Sequence, residues 1–244
     1  MSIKNLIKRL LPQPVYQFGV RCYTPVKCWI YQHLFDDYSQ NGETIVLRNL
    51  AKAFDERTFV EIGANDGVTI STSYGLVLEG WRGWLVEANP ATYAHLERHL
   101  SRFDSVKTFC FAATLRRERI KLYLGKDDPN GFYSTVATDD SDWFRQHRSD
   151  SFVEVDGIPL PDFLKDQDVP KRFGILLIDT EGMDLEVLQS MDFATYRPRL
   201  IVTEEYKPKT RQKHDLLSDA GYQLVTTVGA NTIWRDESSV HHAS

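Results

Sequence analysis

The sequence predicts an α/β fold: a mostly parallel sheet with helices on both faces. Three observations carry this. From residue 46 onward, apolar runs of strand length alternate with helical stripes, the pattern of repeated strand–helix units. The run Ile175-Leu176-Leu177-Ile178 is continuous and apolar, as a strand covered on both faces should be. Strand-like runs also end in polar turns: Ile62 leads into Gly63-Ala64-Asn65-Asp66-Gly67, Val86 into Glu87, and Ile178 into Asp179. In such sheets ligands bind beyond the carboxyl ends of the strands.

The elements follow in order. Ile3, Leu6, Ile7, Leu10 and Leu11 recur at helical spacing until Pro12 and Pro14 stop them, and Val26, Trp29, Ile30 and Leu34 suggest a second short helix. Residues 37–43 are polar and turn-like. Val46, Leu47, Leu50 and Phe54 form a helical stripe. The first strand is expected at 58–62, a helix near 73–80, and a second strand after the turn Gly80-Trp81-Arg82-Gly83. Asn89-Pro90 starts the next helix, with proline at a favourable first-turn position and Tyr93, Leu96 and Leu100 as its apolar face. A third strand runs from Val106 to Phe111. Ile120, Leu122 and Leu124 alternate, which fits an extra strand or hairpin. Pro129-Asn130-Gly131 reads as a turn, Phe152-Val153 with Val155 as an extended piece, and Leu160, Phe163 and Leu164 as a short helix. After the strand at 175–178, Leu185, Val187, Leu188 and Met191 line a helix. A strand at 200–202 ends in Glu204-Glu205. A helix near 210–219 and strands at 222–227 and 231–235 close the chain.

The length of 244 residues suits one α/β domain with an addition. We divide it into a basic amphipathic helical extension, residues 1–37, and a domain spanning 38–244. Residues 1–35 hold Lys4, Lys8, Arg9, Arg21 and Lys27 and no acid, a local charge of +5; the overall charge of −5 therefore leaves −10 on the rest. Such stripes ordinarily dock on a protein's own core. A basic amphipathic stretch also suits peripheral contact with an anionic membrane surface. The acidic balance gives no reason to expect a nucleic-acid partner. No apolar run approaches the ~18 residues that cross a bilayer, and Lys8 and Arg9 interrupt what would be a signal peptide's apolar stretch. Cys22, Cys28 and Cys110 show no metal spacing, and an odd count argues against a disulfide framework. We expect a cytoplasmic protein, with the inner face of the membrane as the one place a peripheral contact would occur.

The turn after the first strand holds the best chemical signal. A glycine turn followed, 20 residues after Gly67, by an acid at the tip of the next strand is how an α/β sheet grips the ribose of a nucleoside cofactor. A nicotinamide fingerprint needs Gly-x-Gly-x-x-Gly, whereas here the spacing is Gly63-x-Asn65-x-Gly67. Glu61 and Asp66 flank the place where a dinucleotide would put its pyrophosphate. Carboxylates there repel phosphate and attract a cation. S-adenosylmethionine, with an adenosine, a sulfonium, an ammonium and no phosphate, meets that demand. We therefore expect it to be held by Glu61, Gly63, Ala64, Asn65, Asp66, Gly67, Glu87, Ala88 and Asn89.

Asp179-Thr180-Glu181-Gly182 is the second signal, because buried strands rarely finish in paired acids without a ligand. Asp179 can hold the cofactor's ammonium or position an acceptor; Glu181 can do either or serve as a base. Helix capping is the competing explanation for acids at that position. Glu204-Glu205-Tyr206 can contact an acceptor, or join Asp179 around a divalent ion; the need for a metal is open at this level. His95 and His99 stand four residues apart on a surface helix without a third ligand, so a zinc site is not expected.

Val60-Glu61-Ile62-Gly63-Ala64-Asn65-Asp66-Gly67, Gly80-Trp81-Arg82-Gly83-Trp84-Leu85-Val86-Glu87-Ala88-Asn89-Pro90 and Leu177-Ile178-Asp179-Thr180-Glu181-Gly182-Met183-Asp184-Leu185-Glu186-Val187-Leu188 resemble the FkbM family of S-adenosylmethionine-dependent methyltransferases. Tyr38-Ser39-Gln40-Asn41-Gly42-Glu43 resembles an upstream segment of its bacterial members. The similarity spans about residues 38–235. It implies a Rossmann-like class I methyltransferase fold, a seven-stranded sheet with an antiparallel C-terminal hairpin. It also implies cofactor contacts at Ala112 and Ala113, and methyl transfer to oxygen, often a sugar hydroxyl. Two positions depart from the family's habit: Leu177 where lysine is common and Asp184 where glutamate is common.

The expected activity is in-line methyl transfer to a small-molecule or glycan hydroxyl, with Asp179 or Glu181 as base. Two rivals carry other expectations. A nicotinamide-dependent dehydrogenase would bind NAD. A non-catalytic cofactor-binding module would use the basic N-terminus to dock on a membrane or partner. The acceptor's identity and the oligomeric state are not readable from the chain.

Overall fold

A computed structural model describes residues 37–126, 128, 131, 133–136, 147–205 and 209–238. The two N-terminal stripes, Cys22, Cys28, His33, Pro129, Asn130, Tyr206, His241 and His242 lie outside the described residues.

The chain alternates as expected. Helix α1 (Glu43–Leu50) precedes β1 (Thr58–Ile62), and α2 (Tyr74–Leu78) precedes β2 (Arg82–Glu87). Then come α3 (Pro90–Leu100), β3 (Val106–Cys110), β4 (Ala112–Ala113), β5 (Glu118–Gly125) and β6 (Arg148–Ile158). Helix α4 (Leu160–Asp166) leads to β7 (Arg172–Ile178), α5 (Asp184–Ser190), β8 (Arg197–Glu204), α6 (Thr210–Asp219), β9 (Tyr222–Val228) and β10 (Asn231–Asp236).

Seven strands form the main sheet in the order β3-β2-β1-β7-β8-β10-β9. All neighbours are parallel except β10, which is antiparallel to both β8 and β9. This is the seven-stranded sheet with a reversed C-terminal hairpin that the resemblance implies. The order turns back between β1 and β7, so the chain leaves the sheet's centre in opposite directions there, and the crevice at their carboxyl ends is where such sheets take ligands.

Side-chain alternation along the strands divides the core in two. Val60, Ile62, Trp84, Val86, Leu176 and Ile178 pack with α4, α5 and α6 on one face. Phe59, Leu85, Ile175 and Leu177 pack with α1, α2 and α3 on the other. Each of these large side chains, fully buried, contributes roughly 2 kcal/mol. Register aligns the strand ends: Ile62 pairs with Val86 and with Ile178, and Ile178 with Thr203. The polar residues after those four positions therefore share one rim.

Four details differ from the sequence reading. Strand β8 begins at Arg197, three residues before the apolar run, because Arg197 and Pro198 pair with Arg172 and Phe173 of β7; long-range pairing outweighs the loop-like look of Arg-Pro-Arg. Phe54 lies beyond the end of α1 and packs on the core from the following loop. The expected extra hairpin is a separate sheet, β4-β6-β5, with Ala112 and Ala113 paired parallel to Gly157 and Ile158. Its β6 starts at Arg148, earlier than the extended piece expected around Phe152. This sheet turns Leu122 and Val155 inward beside Ala112.

The tightest joint lies between the β1 turn and β7. Gly63 has φ +89, and a Cβ there would stand 1.7 Å from the carbonyl oxygen of Asp179. Only glycine combines that conformation with that approach. We expect Gly63→Ala to destabilise the protein by about 3 kcal/mol or more, measured by urea unfolding, and to abolish binding at the rim.

Candidate active site

The rim is assembled from four strand ends. Gly63 and Ala64 donate their backbone N–H groups to the Val86 carbonyl, 2.9 Å each, and Asp179 donates to the Ile62 carbonyl at 2.9 Å. Asn65 stands at φ 50, in the left-handed region. That explains how asparagine serves where a fingerprint would have glycine, since its side chain tolerates that conformation better than most. The Asn65 N–H donates to Glu87 Oε2 at 2.9 Å, and the Asn89 N–H to Glu87 Oε1 at 2.7 Å. Glu87 thus locks the first turn onto the second strand. Asn89 caps α3 by accepting from the Ala91 N–H at 3.0 Å, so the predicted helix start and the predicted site residue are one group.

Two cavities open at this rim. The first is a crevice of about 660 Å³ that is open to solvent at its mouth, that open space included. Its apolar walls are Ile62, Val86, Phe111, Ala112, Ala113 and Leu122, and its polar side carries Gly63, Asn65, Glu87, Asp179 and Glu181. Among the described residues no lysine or arginine lines it. Gly131, Ser134, Thr135 and Val136 complete the wall. Ser134 Oγ accepts from Asn89 Nδ2 at 3.1 Å and Thr135 Oγ1 donates to the Glu181 carbonyl at 2.8 Å, so these residues bridge the turns that follow β2 and β7. Nothing in their sequence marks them; only the folded path brings them there.

The second cavity shares Gly63, Asn65, Asp179 and Glu181 with the first and extends over β1, β7 and β8. It adds Gln40, Glu61, Tyr133, Glu204 and Asn231. Ile70, at φ 57, also lines it. A β-branched residue in that region stores backbone strain of about 1–3 kcal/mol.

The predicted acids separate into different roles. Glu61 is 7% exposed and accepts from Ser73 Oγ at 2.5 Å. Asp66, by contrast, accepts from the Val68 and Thr69 N–H groups and the Thr69 hydroxyl, 2.6–2.9 Å. It serves its own loop and lines an adjacent hollow rather than the crevice. Gly67, at φ 75, keeps that loop close to Leu96 and Leu100. Ala88 packs beside the small sheet. Glu205 also turns away: Lys213 lies 3.5 Å from its carboxylate, His214 and Thr232 3.0 Å from it. Burial pushes its pKa up, but Thr210 through a hydrogen bond, then His214, Lys213 and Thr232, hold it below the usual range. Among the described residues no group of three His, Cys, Asp or Glu side chains is arranged to hold a metal ion. The grouping of Asp179 with Glu204 and Glu205 around a cation is therefore not formed.

Asp184, a departure from the family's habit in the sequence, is a brace. Buried at 5% exposure, it accepts from the Thr180 N–H and hydroxyl at 2.9 and 2.7 Å, the Thr203 hydroxyl at 2.7 Å and the Glu204 N–H at 3.0 Å. It ties the turn after β7 to the end of β8. Glu181 and Gly182 both take positive φ in that turn, and Lys209 Nζ donates to the Gly182 carbonyl at 2.8 Å. Lys213, 2% exposed, donates to the Glu204 carbonyl and the Thr203 hydroxyl. Sequence inspection passed over this lysine because its partners are distant along the chain.

Like charges crowd the rim. Burial raises Glu61 and Glu87 to about 7. Glu204 also rises to about 7, from burial and the nearby Asp184 carboxylate. Asp179 keeps an exposed surface and lines both cavities; crowding by the surrounding protein, then Glu204 and Asp184, holds it well above the ordinary carboxyl range. Glu181, beside Asp179, is pushed up to about 10 by burial and that neighbour. Such a cluster favours a positively charged ligand.

The strand order, the glycine turn after β1 and the ribose-type acid ending β2 together define the class I methyltransferase fold. The model of the methyltransferase FkbM domain matches residues 61–224, more than half of the sequence. The chain belongs to the FkbM methyltransferase family. Family and fold are those of S-adenosylmethionine-dependent methyltransferases. Similar solved structures include an O-methyltransferase from Bacillus cereus in complex with SAH, at 14% identity and TM-score 0.48 over 95% of each chain. A putative O-methyltransferase from Klebsiella pneumoniae is similar at 13% identity and TM-score 0.46, over 96% of this chain and 94% of that one. A precorrin-6y C5,15-methyltransferase from Geobacter metallireducens is similar at 13% and 0.46, over 78% and 84%. A search of curated protein sequences found no significant match. Among the described residues no helix is long and apolar enough to cross a membrane.

The raised carboxyls set a pH signature. Each holds its proton more tightly folded than unfolded, so its contribution is fully present below the unfolded pKa, near 4.5, and is lost as pH rises through about 7. The ligand-free protein is expected to melt at a lower temperature at pH 8 than at pH 5.5. Glu61→Gln is expected to flatten that slope, as read by thermal unfolding across pH.

Proposed function

We propose that this protein transfers a methyl group from S-adenosylmethionine to a hydroxyl of a sugar or glycan. The observation that carries the proposal is the meeting of two unlike cavities at Asp179 and Glu181: an apolar-walled crevice on one side and a polar cavity on the other.

The crevice suits the cofactor. Ile62, Val86, Phe111 and Ala112 offer flat apolar walls for an adenine ring, and Glu87 presents a carboxylate to a ribose diol. The absence of a lysine or arginine among its described lining residues, with three carboxyl groups present, favours a cationic nucleoside over a diphosphate such as NAD. When bound, S-adenosylmethionine supplies an electrophilic methyl group on a positively charged sulfur.

The polar cavity suits a polyhydroxyl acceptor. Gln40 and Asn231 offer amides, Glu61 and Glu204 carboxyls, and Tyr133 a ring for the C–H face of a sugar. An alcohol is a weak nucleophile near neutrality and benefits from a base. Asp179 and Glu181 stand at the junction with raised proton affinity; near neutrality either must first release its proton, which the positive charge of the cofactor favours, before it can accept one from the acceptor. Asp184 holds their turn against β8, so the base is oriented before the acceptor arrives. Action in the cytoplasm, with residues 1–35 touching the inner face of a membrane, belongs to the same proposal.

Two experiments test it. The first is calorimetry in buffers of different ionisation enthalpy, near pH 7. A positive ligand lowers the raised carboxyl pKa values, so binding is expected to release protons, more for S-adenosylmethionine than for the uncharged thioether S-adenosylhomocysteine, while NAD does not bind. The second is transfer of labelled methyl from S-adenosylmethionine to a panel of free and nucleotide-linked sugars. The wild type is expected to methylate at least one of them. Asp179→Asn should lower that turnover by about 100-fold or more while keeping S-adenosylhomocysteine affinity. Wild-type turnover by this variant would remove Asp179 from the mechanism.

A further inference from the structure

Residues 37–43 are fastened far more firmly than an ordinary surface turn. Asp37, Ser39 and Glu43 are each at most 1% exposed. The Asp37 carboxylate accepts from the Ser39 N–H at 2.8 Å and the Ile45 N–H at 3.0 Å. The Glu43 carboxylate accepts from the Asn41 N–H at 2.7 Å, Asn41 Nδ2 at 3.1 Å and Asn231 Nδ2 at 3.2 Å. Thr44 donates its hydroxyl to the Thr72 carbonyl at 2.9 Å. The segment is thus tied to the start of β10 through Asn231, and Thr44 directly after it to the β1–α2 loop through Thr72; Thr72 and Asn231 both line the polar cavity. Gly229, at φ +62, completes the fit: a Cβ there would stand 2.1 Å from Asn41 Nδ2.

Buried carboxyl groups are costly unless fully hydrogen-bonded, and here two of them hold one short turn. Gln40, the exposed residue between Ser39 and Asn41, lines the polar cavity, as does Asn231, the residue that Glu43 anchors. An amide donates and accepts at once, which matches a hydroxyl group. Because the backbone on both sides of Gln40 is immobilised, little ordering remains to be done when a ligand meets it.

We infer that Gln40 contacts the methyl acceptor and selects among acceptors by hydrogen-bonding one of their hydroxyls, with Asn231 completing that wall. This rests on the sugar reading given above. A site that hydrogen-bonds a substrate hydroxyl discriminates against analogues that lack it or present it in another orientation, so Gln40 bears on which sugar is used rather than on the chemical step.

The test is the same labelled-methyl panel of free and nucleotide-linked sugars, run on wild type, Gln40→Ala and Gln40→Glu, with S-adenosylhomocysteine titrated calorimetrically into each. Both variants are expected to bind S-adenosylhomocysteine within about twofold of wild type. Each should lower kcat/KM for the best acceptor by about tenfold and change the order of preference in the panel. Unchanged ratios among acceptors, or a loss that follows S-adenosylhomocysteine affinity, would overturn the role of Gln40 and leave the sugar reading standing. A wild type that transfers methyl to no sugar in the panel would overturn both.

Discussion

The close approach of the Gly63 turn to the Asp179 carbonyl is the constraint on which the site depends. It brings the ends of β1 and β7 together without an intervening side chain. Glu87 extends the joint sideways, receiving the N–H groups of Asn65 and Asn89. Asp184 extends it the other way, receiving groups from Thr180, Thr203 and Glu204. Four strand ends are thereby fixed relative to one another by backbone contacts and two buried carboxylates. The crevice is a consequence of that rigid rim, which is what a catalyst working chiefly by orientation requires.

The same construction concentrates acid. Glu61, Glu87, Asp179, Glu181 and Glu204 raise one another's pKa values or are raised by burial. In the ligand-free protein this crowding works against stability at neutral pH, as is common where a fold holds a ligand's place. Other acids were drawn out of the rim by local partners. Asp66 closes its own loop and Glu205 joins Lys213 and His214. Acidity at a strand end is thus not enough to place a group in the site; the partners left to it decide.

Much of the frame was legible beforehand. The continuous run at 175–178, the alternation of strands with helices, and the caps at Asn89 and Pro90 are local patterns, and local patterns appear as periodicity and turn chemistry. Gly63 and Asn65 were legible for the same reason, since positive φ restricts residue type. The early start of β8 was not, because pairing with β7 rather than composition made Arg197 and Pro198 a strand. Nor were Ser134 and Thr135, whose place at the crevice rests on contacts with Asn89 and Glu181, about 45 residues away in the chain.

Taken alone, the amino-acid order determined the fold class, the family resemblance, and the glycine turn with its acid one strand later, because each is written in short-range spacing. Tertiary structure decided which acids share a rim, that Asp184 is a brace, and that Gln40 from the upstream segment meets Asn231 from the last hairpin at one cavity. Those facts depend on contacts between residues as far apart as Glu43 and Asn231. Spacing cannot encode such meetings; they exist only once burial and strand register have brought the distant segments together.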